Sequence, residues 1–218
     1  MGGHPFFRTL FYKYEFISGF KIMPMQHLIR AFFAISLSAL ISAPASAQDL
    51  ANGKLKSQVC AACHGADGNA PAPIFPNLAG QTWRYLYIQL KDFKEGRRTN
   101  ALMAPMVENM SRQDMIDIAN YYAGQRAKPS PFKADETKIK LGKAKSDETL
   151  CTMCHLGGFA GQNEIPKVAG QQYDYIVQQL KDFKARKRTN DAGNMTSVSQ
   201  TLSETDIENL AHYITDLR

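Results

Sequence analysis

Residues 76–100, PNLAGQTWRYLYIQLKDFKEGRRTN, return at 166–190 as PKVAGQQYDYIVQQLKDFKARKRTN, with 14 of the 25 positions identical and no gap. A match of that length is an internal duplication, so the chain has to fold as two copies of one unit. The match runs on in both directions. Gly53-Lys54-Leu55-Lys56-Ser57 answers Gly142-Lys143-Ala144-Lys145-Ser146, and Ser111-Arg112-Gln113-Asp114 answers Ser203-Glu204-Thr205-Asp206. Each copy is roughly 80–90 residues, a size at which apolar burial alone gives marginal stability.

Each copy carries one Cys-x-x-Cys-His run, Cys60-Ala61-Ala62-Cys63-His64 and Cys151-Thr152-Met153-Cys154-His155, and together they use all four cysteines. Two thiols at this spacing can form thioethers to the two vinyl groups of one porphyrin. The adjacent His then offers a ring nitrogen to the iron. Three other readings fit less well. One structural zinc site would have to gather pairs 91 residues apart, a thioredoxin-like pair belongs in a βαβ context that is missing, and disulfides need no His after each pair. The reading is covalent haem c, twice.

Apolar periodicity gives helices and no alternating strand. A short helix approaches each Cys pair, at about 50–60 and 138–151. A second runs over about 82–95 and 172–186, with Tyr85, Leu86, Ile88, Leu90 and Phe93 as its inward stripe. A final helix is capped by Ser111 or Ser203, each with Asp three residues on. Its buried face is Met115, Ile118, Ala119 and Tyr122 in one copy, and Ile207, Leu210, Ala211 and Ile214 in the other. The fold class is all-α, two tandem domains of one kind: domain 1 over 48–126, a linker over 127–137 and domain 2 over 138–218.

What the iron does depends on its sixth ligand. An open face binds gases or peroxide, whereas a thioether closes it and raises the potential. The second copy has one Met in range, Met195, eight residues before Ser203; eight residues before Ser111 stands Met103. Met106 is the alternative, because the segment from Asn100 to Met103 is two residues shorter than that from Asn190 to Met195. Pro76 and Pro166 follow the two histidines by twelve and eleven residues. Their carbonyls are candidates to accept the outer ring N–H of each. Trp83, Tyr85, Tyr173 and Tyr175 are candidates for haem-pocket lining or for ordinary core. Lys94-Arg97-Arg98 and Lys184-Arg186-Lys187-Arg188 read as solvated helix ends, with propionates or an acidic partner as the alternative. His212 answers Asn120 and reads as structural.

Residues 1–47 read as a leader. An apolar stretch over 31–41 behind Arg30 and the small residues Ala45-Ser46-Ala47 make a cleavable secretory signal, with Met25 as the natural start. Export suits haem c attachment, and the expected location is the periplasm. Beyond Ala47 the chain holds 22 Lys+Arg and 19 Asp+Glu, an excess of +3. Four haem propionates would cancel that excess, so charge gives no support to nucleic acid as a partner.

The two Cys-x-x-Cys-His motifs, the paired P-x-[LV]-A-G-Q segments, the QLKDFK…RTN runs and the Met-to-Ser spacing together resemble the dihaem cytochromes c4, over essentially the whole chain after the leader. The resemblance implies two class I cytochrome c domains packed about a pseudo-twofold axis. It implies thioethers at Cys60, Cys63, Cys151 and Cys154, and iron ligands His64, Met103, His155 and Met195. It also implies a non-enzymatic electron carrier, soluble or held peripherally at the membrane, working between the bc1 complex and a terminal oxidase. The alternatives are the dihaem subunit of a periplasmic dehydrogenase, such as flavocytochrome c sulfide dehydrogenase with its flavoprotein partner, and a dihaem peroxidase or gas sensor.

Overall fold

The structure is a computed structural model and describes residues 45–218, the side chains from Leu50 onward. Met25 and the apolar stretch of the expected signal lie outside the described residues. The expected cut after Ala47 falls in the first turn of helix α1, Ala45–Lys56. No helix among the described residues is long and apolar enough to cross a membrane.

The first half continues with a 3-10 turn, Ser57–Cys60, then α2 Ala61–His64, α3 Trp83–Lys94, α4 Met103–Val107 and α5 Arg112–Ala123. The second repeats the order as α6 Glu136–Glu148, α7 Cys151–His155, a 3-10 turn Gly157–Phe159, α8 Tyr173–Lys184, α9 Asn194–Gln200 and α10 Glu204–Asp216. Among the described residues there is no strand, only one isolated bridge between Gln162 and Ile165. The all-α expectation holds. The short helices α2, α4, α7 and α9 were not expected, since four to seven residues are too few to display a helical period.

In each half the last helix is the hub, with α1 and α3 against α5, and α6 and α8 against α10. Ser111 and Ser203 both make full capping boxes, each hydroxyl accepting from the Asp N–H three residues on while the carboxylate accepts from the Ser N–H. All eight residues assigned to the buried faces of these helices are buried. The helix crossing explains the repeated glycine. A Cβ at Gly53 would come 2.2 Å from the Asp117 carbonyl oxygen, and one at Gly142 would come 2.1 Å from that of Asn209. Only glycine lets the backbones approach so closely.

The expected inward stripe of α3 needs correction. Leu86 is buried in the first-half cluster, but the Tyr85 hydroxyl leaves its own half and accepts from Arg188 Nη2 at 3.0 Å. Tyr175 mirrors it, accepting from Arg98 Nη2 at 2.9 Å. The basic clusters are corrected in part. Lys94 and Lys184 donate to the carbonyls of Met110 and Leu202, just before the capping serines. Arg98 and Arg188 lie over the rings of Phe93 and Phe183, at 4.6 and 4.5 Å from the centroids, and turn their forks to the opposite half. Buried Arg188 and half-buried Arg98 are therefore interface charges, whereas Lys94, Arg97, Arg186 and Lys187 are exposed, as expected of solvated helix ends.

A second set of reciprocal bonds completes that interface. Gln81 Nε2 donates to the Lys167 carbonyl at 2.7 Å while its Oε1 accepts from Lys167 N at 2.8 Å. Gln171 does the same to Asn77, at 3.0 and 2.7 Å. Each A-G-Q segment therefore closes on the backbone of the other copy, a pseudo-twofold arrangement. The segment between the halves is clipped to both: Lys128 N donates to Asn69 Oδ1 at 2.8 Å in the first, while Phe132 stacks on Tyr173 with centroids 4.3 Å apart and Asp135 N donates to His212 Nδ1 at 3.1 Å in the second.

Candidate functional site

His64 ends α2 and His155 ends α7, and both imidazoles are buried. His64 Nδ1 lies 3.0 Å from the Pro76 carbonyl and His155 Nδ1 lies 2.9 Å from that of Pro166. A carbonyl only accepts, so Nδ1 carries the proton in both rings and Nε2 keeps its lone pair. Burial holds both imidazoles below the ordinary histidine value, outweighing the carbonyl's opposite pull, and the rings are neutral at pH 7. A neutral imidazole with an anchored Nδ1–H and a free Nε2 is a prepared iron ligand.

None of the four cysteines is in a disulfide. Cys60 packs on the cluster of Leu86, Ile118, Ala119 and Tyr122, and Cys151 on the larger cluster of the second half. Burial pushes the Cys60 thiol up to about 11. Among the described residues no three His, Cys, Asp or Glu side chains converge as a bare metal ion would need, so zinc has no donor set here.

Met195 sits in the first turn of α9 and packs on the same cluster as Cys151. Met103 opens α4 and is half-buried, whereas Met106 is 44% exposed. The bonds of Lys94 and Lys184 align Met110 with Leu202, which puts Met103 level with Met195 and Met106 level with Val198. Four residues beyond each Met, Val107 and Ser199 are fully buried and pin the two short helices alike. The loop before each differs. Asn100 Oδ1 accepts from the backbone N–H of Leu102 and Met103, at 2.9 and 3.0 Å. In the second half Asp191 caps α9 through Thr196 N at 2.6 Å, and the two extra residues include Ala192 and Gly193 at positive φ.

These residues fit haem c. Each half has a thiol pair at or next to the start of a short helix, a neutral buried imidazole with Nε2 free, and a half-buried thioether in matched register. Apolar side chains stand exposed beside these donors, Val59, Leu102, Leu150 and Met153 among them, which suits a flat apolar macrocycle. Trp83 is 44% exposed. Sequence reasoning missed Phe159, which holds φ +57° and stacks on His155 with ring centroids 6.1 Å apart. The equivalent residue in the first copy is a glycine, Gly68, so the repeat itself hid it.

The Cytochrome c family matches the chain twice, over residues 50–124 and 139–218. A protein of Pseudomonas aeruginosa called cytochrome c4 is 40% identical over 199 residues, covering 87% of this chain and 98% of its own. A thiosulfate dehydrogenase electron acceptor of Thiomonas intermedia is 32% identical over 206 residues, covering 89% and 92%. Among solved structures, the reduced recombinant cytochrome c4 from Pseudomonas stutzeri superposes with a TM-score of 0.72 at 40% identity, covering 76% of this chain and 97% of that one.

Proposed function

Because the chain belongs to the cytochrome c4 family, electron-transfer proteins with two covalent haem c groups, we propose that it carries electrons in the periplasm from the bc1 complex to a terminal oxidase. We assign the thioethers to Cys60, Cys63, Cys151 and Cys154, and the axial ligands to His64 with Met103 and His155 with Met195. Bound haem supplies one iron per half that gains or loses a single electron. The protein's residues do the rest. The Pro76 and Pro166 carbonyls draw on Nδ1–H and make Nε2 the stronger donor. The Met103 and Met195 thioethers would favour the lower charge state of a bound iron and would close it to small ligands. The reciprocal bonds of Gln81 and Gln171 keep the two halves in one arrangement, which fixes the route between the two sites.

The observation that carries this reading is the matched pair: an anchored, neutral His and a Met in the same register, twice, in halves joined face to face. Two experiments test it. Replacing Met103 with Leu should remove half of the sulfur-to-iron charge-transfer absorbance, and replacing Met106 with Leu should leave it intact; the reverse outcome overturns the assignment. Quinol with bc1-containing membranes should reduce the oxidised holoprotein, with inhibition of the complex blocking this, and a terminal oxidase should reoxidise it.

A second reading has one observation in its favour, the Thiomonas relative whose name makes it the acceptor of a thiosulfate dehydrogenase. On that reading the donor is a periplasmic dehydrogenase. Rapid reduction by such an enzyme with its substrate, together with inertness toward the bc1 complex, would select it.

A further inference from the structure

The pseudo-twofold symmetry of the interface breaks at one pair of residues. Arg98 and Arg188 behave alike: each gives one bond to the glutamine of its own half, Gln89 or Gln179, and reaches the tyrosine and glutamine of the other. Two residues on, Asn100 and Asn190 part company. Asn100 stays exposed and caps the Met103 segment within its own half. Asn190 crosses, and its Nδ2 donates to Gln89 Oε1 at 3.0 Å and to Asp92 Oδ2 at 2.7 Å, both in the first half.

Asp92 is a firm anchor. It is 4% exposed, and its other oxygen accepts from Arg97 Nε at 2.8 Å. Asp182, its equivalent, accepts from Gln178 of its own helix. Next to Asn190 stands Asp191, which caps the helix bearing Met195. A continuous path therefore runs from Asp92 through Asn190 and Asp191 to Met195. The route through Arg98 or Arg188 is common to both halves, but the crossing bonds of Asn190 have no counterpart at Asn100 among the described residues.

We propose that Asn190 is a positioning residue through which the first half holds the Met195 segment, so that contact between the halves tightens the sixth ligand of the second site and not, by this route, that of the first. The inference rests on Met195 and Met103 being the axial ligands proposed above. A charge-assisted hydrogen bond to a buried carboxylate is strong enough for its loss to change a local open–closed equilibrium by about tenfold or more.

The test is ligand displacement on the oxidised holoprotein, with imidazole as the competing ligand. The two methionine methyl resonances are followed separately by NMR and assigned by their loss in Met103→Leu and Met195→Leu. Asn190→Ala should let imidazole displace Met195 at about tenfold lower concentration, with Met103 unmoved. Asn190→Asp, which sets a second carboxylate against Asp92, should have a larger effect, and adding Asp92→Asn should reverse part of it. Unchanged displacement at both sites, or equal weakening at both, overturns the proposal. If the unaltered holoprotein lacks either methyl resonance, the ligand assignment fails before any Asn190 variant is made.

Discussion

Gly68 and Tyr122 share a space that admits only one side chain. A Cβ at Gly68 would come 2.7 Å from Tyr122 Cδ1 and 2.7 Å from the backbone nitrogen of Ala79. The Gly68 carbonyl meanwhile accepts from the N–H groups of Leu78 and Ala79, at 2.7 and 3.0 Å. In the second half Phe159 makes the same two bonds, to Val168 and Ala169, also at positive φ. Ile214, whose carbonyl binds Gly170 as that of Tyr122 binds Gly80, takes the tyrosine's place. The duplicated core has exchanged a small–large pair for a large–small one.

Gly68→Ala should therefore cost about 2–4 kcal/mol, from the overlap with Tyr122 and Ala79 plus the strained backbone. Urea denaturation of the holoprotein measures it. Adding Tyr122→Ile should recover a substantial part. A single variant that melts like the parent would show that the first half relaxes around the new methyl group.

Tyr85→Phe removes one of the acceptors of Arg188, a guanidinium only 8% exposed that keeps Gln89 and Gln179. The expected loss is about 1–2 kcal/mol. Burial raises the energy of the Tyr85 phenolate, yet Arg188 and Arg98 together hold that phenol below its usual value, a sign of how strongly the guanidiniums act here. Tyr175→Phe should cost less, because Arg98 is more exposed. Denaturant midpoints of the two variants, compared side by side, decide the order.

Acid should loosen the first half through Asp114. Lys56, with help from the Ser111 cap, holds its carboxyl at about 2, well below the ordinary 3.8. A depressed carboxyl stabilises the fold at pH values above the ordinary one, and that contribution is lost as pH falls from about 4 to about 2. Asp67, paired with Lys128 and also at about 2, adds in the same window. Both pairs are partly exposed, so each is worth about 1 kcal/mol or less. Urea midpoints measured from pH 6 to pH 2 should fall in that window, less steeply for Asp114→Asn.

What could be read from the chain, and what could not, divides by distance. The Ser111 and Ser203 caps and the buried faces of α5 and α10 are local matters of spacing, and the structure has them as expected. The block QLKDFK…RTN was legible as a repeat but not in its role. Arg98 and Arg188 find their partners 77 to 103 residues away, and nothing in one copy says whether it faces solvent, a cofactor or its twin. The asymmetry of Asn100 and Asn190 is further out of reach. Identical residues acquire different duties where the second loop is two residues longer.

The two halves should also differ without haem. Among the described residues the second-half cluster buries Phe159, Ile176, Leu180, Leu202, Ile207, Leu210 and Ile214, whereas the first buries Leu86, Ile118 and Tyr122 as its large members. Val107 and Met115 add to the first half and Phe183 to the second, so at about 1.5–3 kcal/mol for each fully buried large apolar side chain the second half keeps more of its own stability. A chain with Cys60, Cys63, Cys151 and Cys154 all replaced by Ala cannot form thioethers. Circular dichroism should show much of its helix lost. Hydrogen exchange should find the residual protection in α8 and α10 ahead of α3 and α5. Cooperative unfolding from a native helix content would show that the polypeptide core suffices alone. Protection concentrated in the first half would mean that the polar interface, not apolar burial, holds what structure remains.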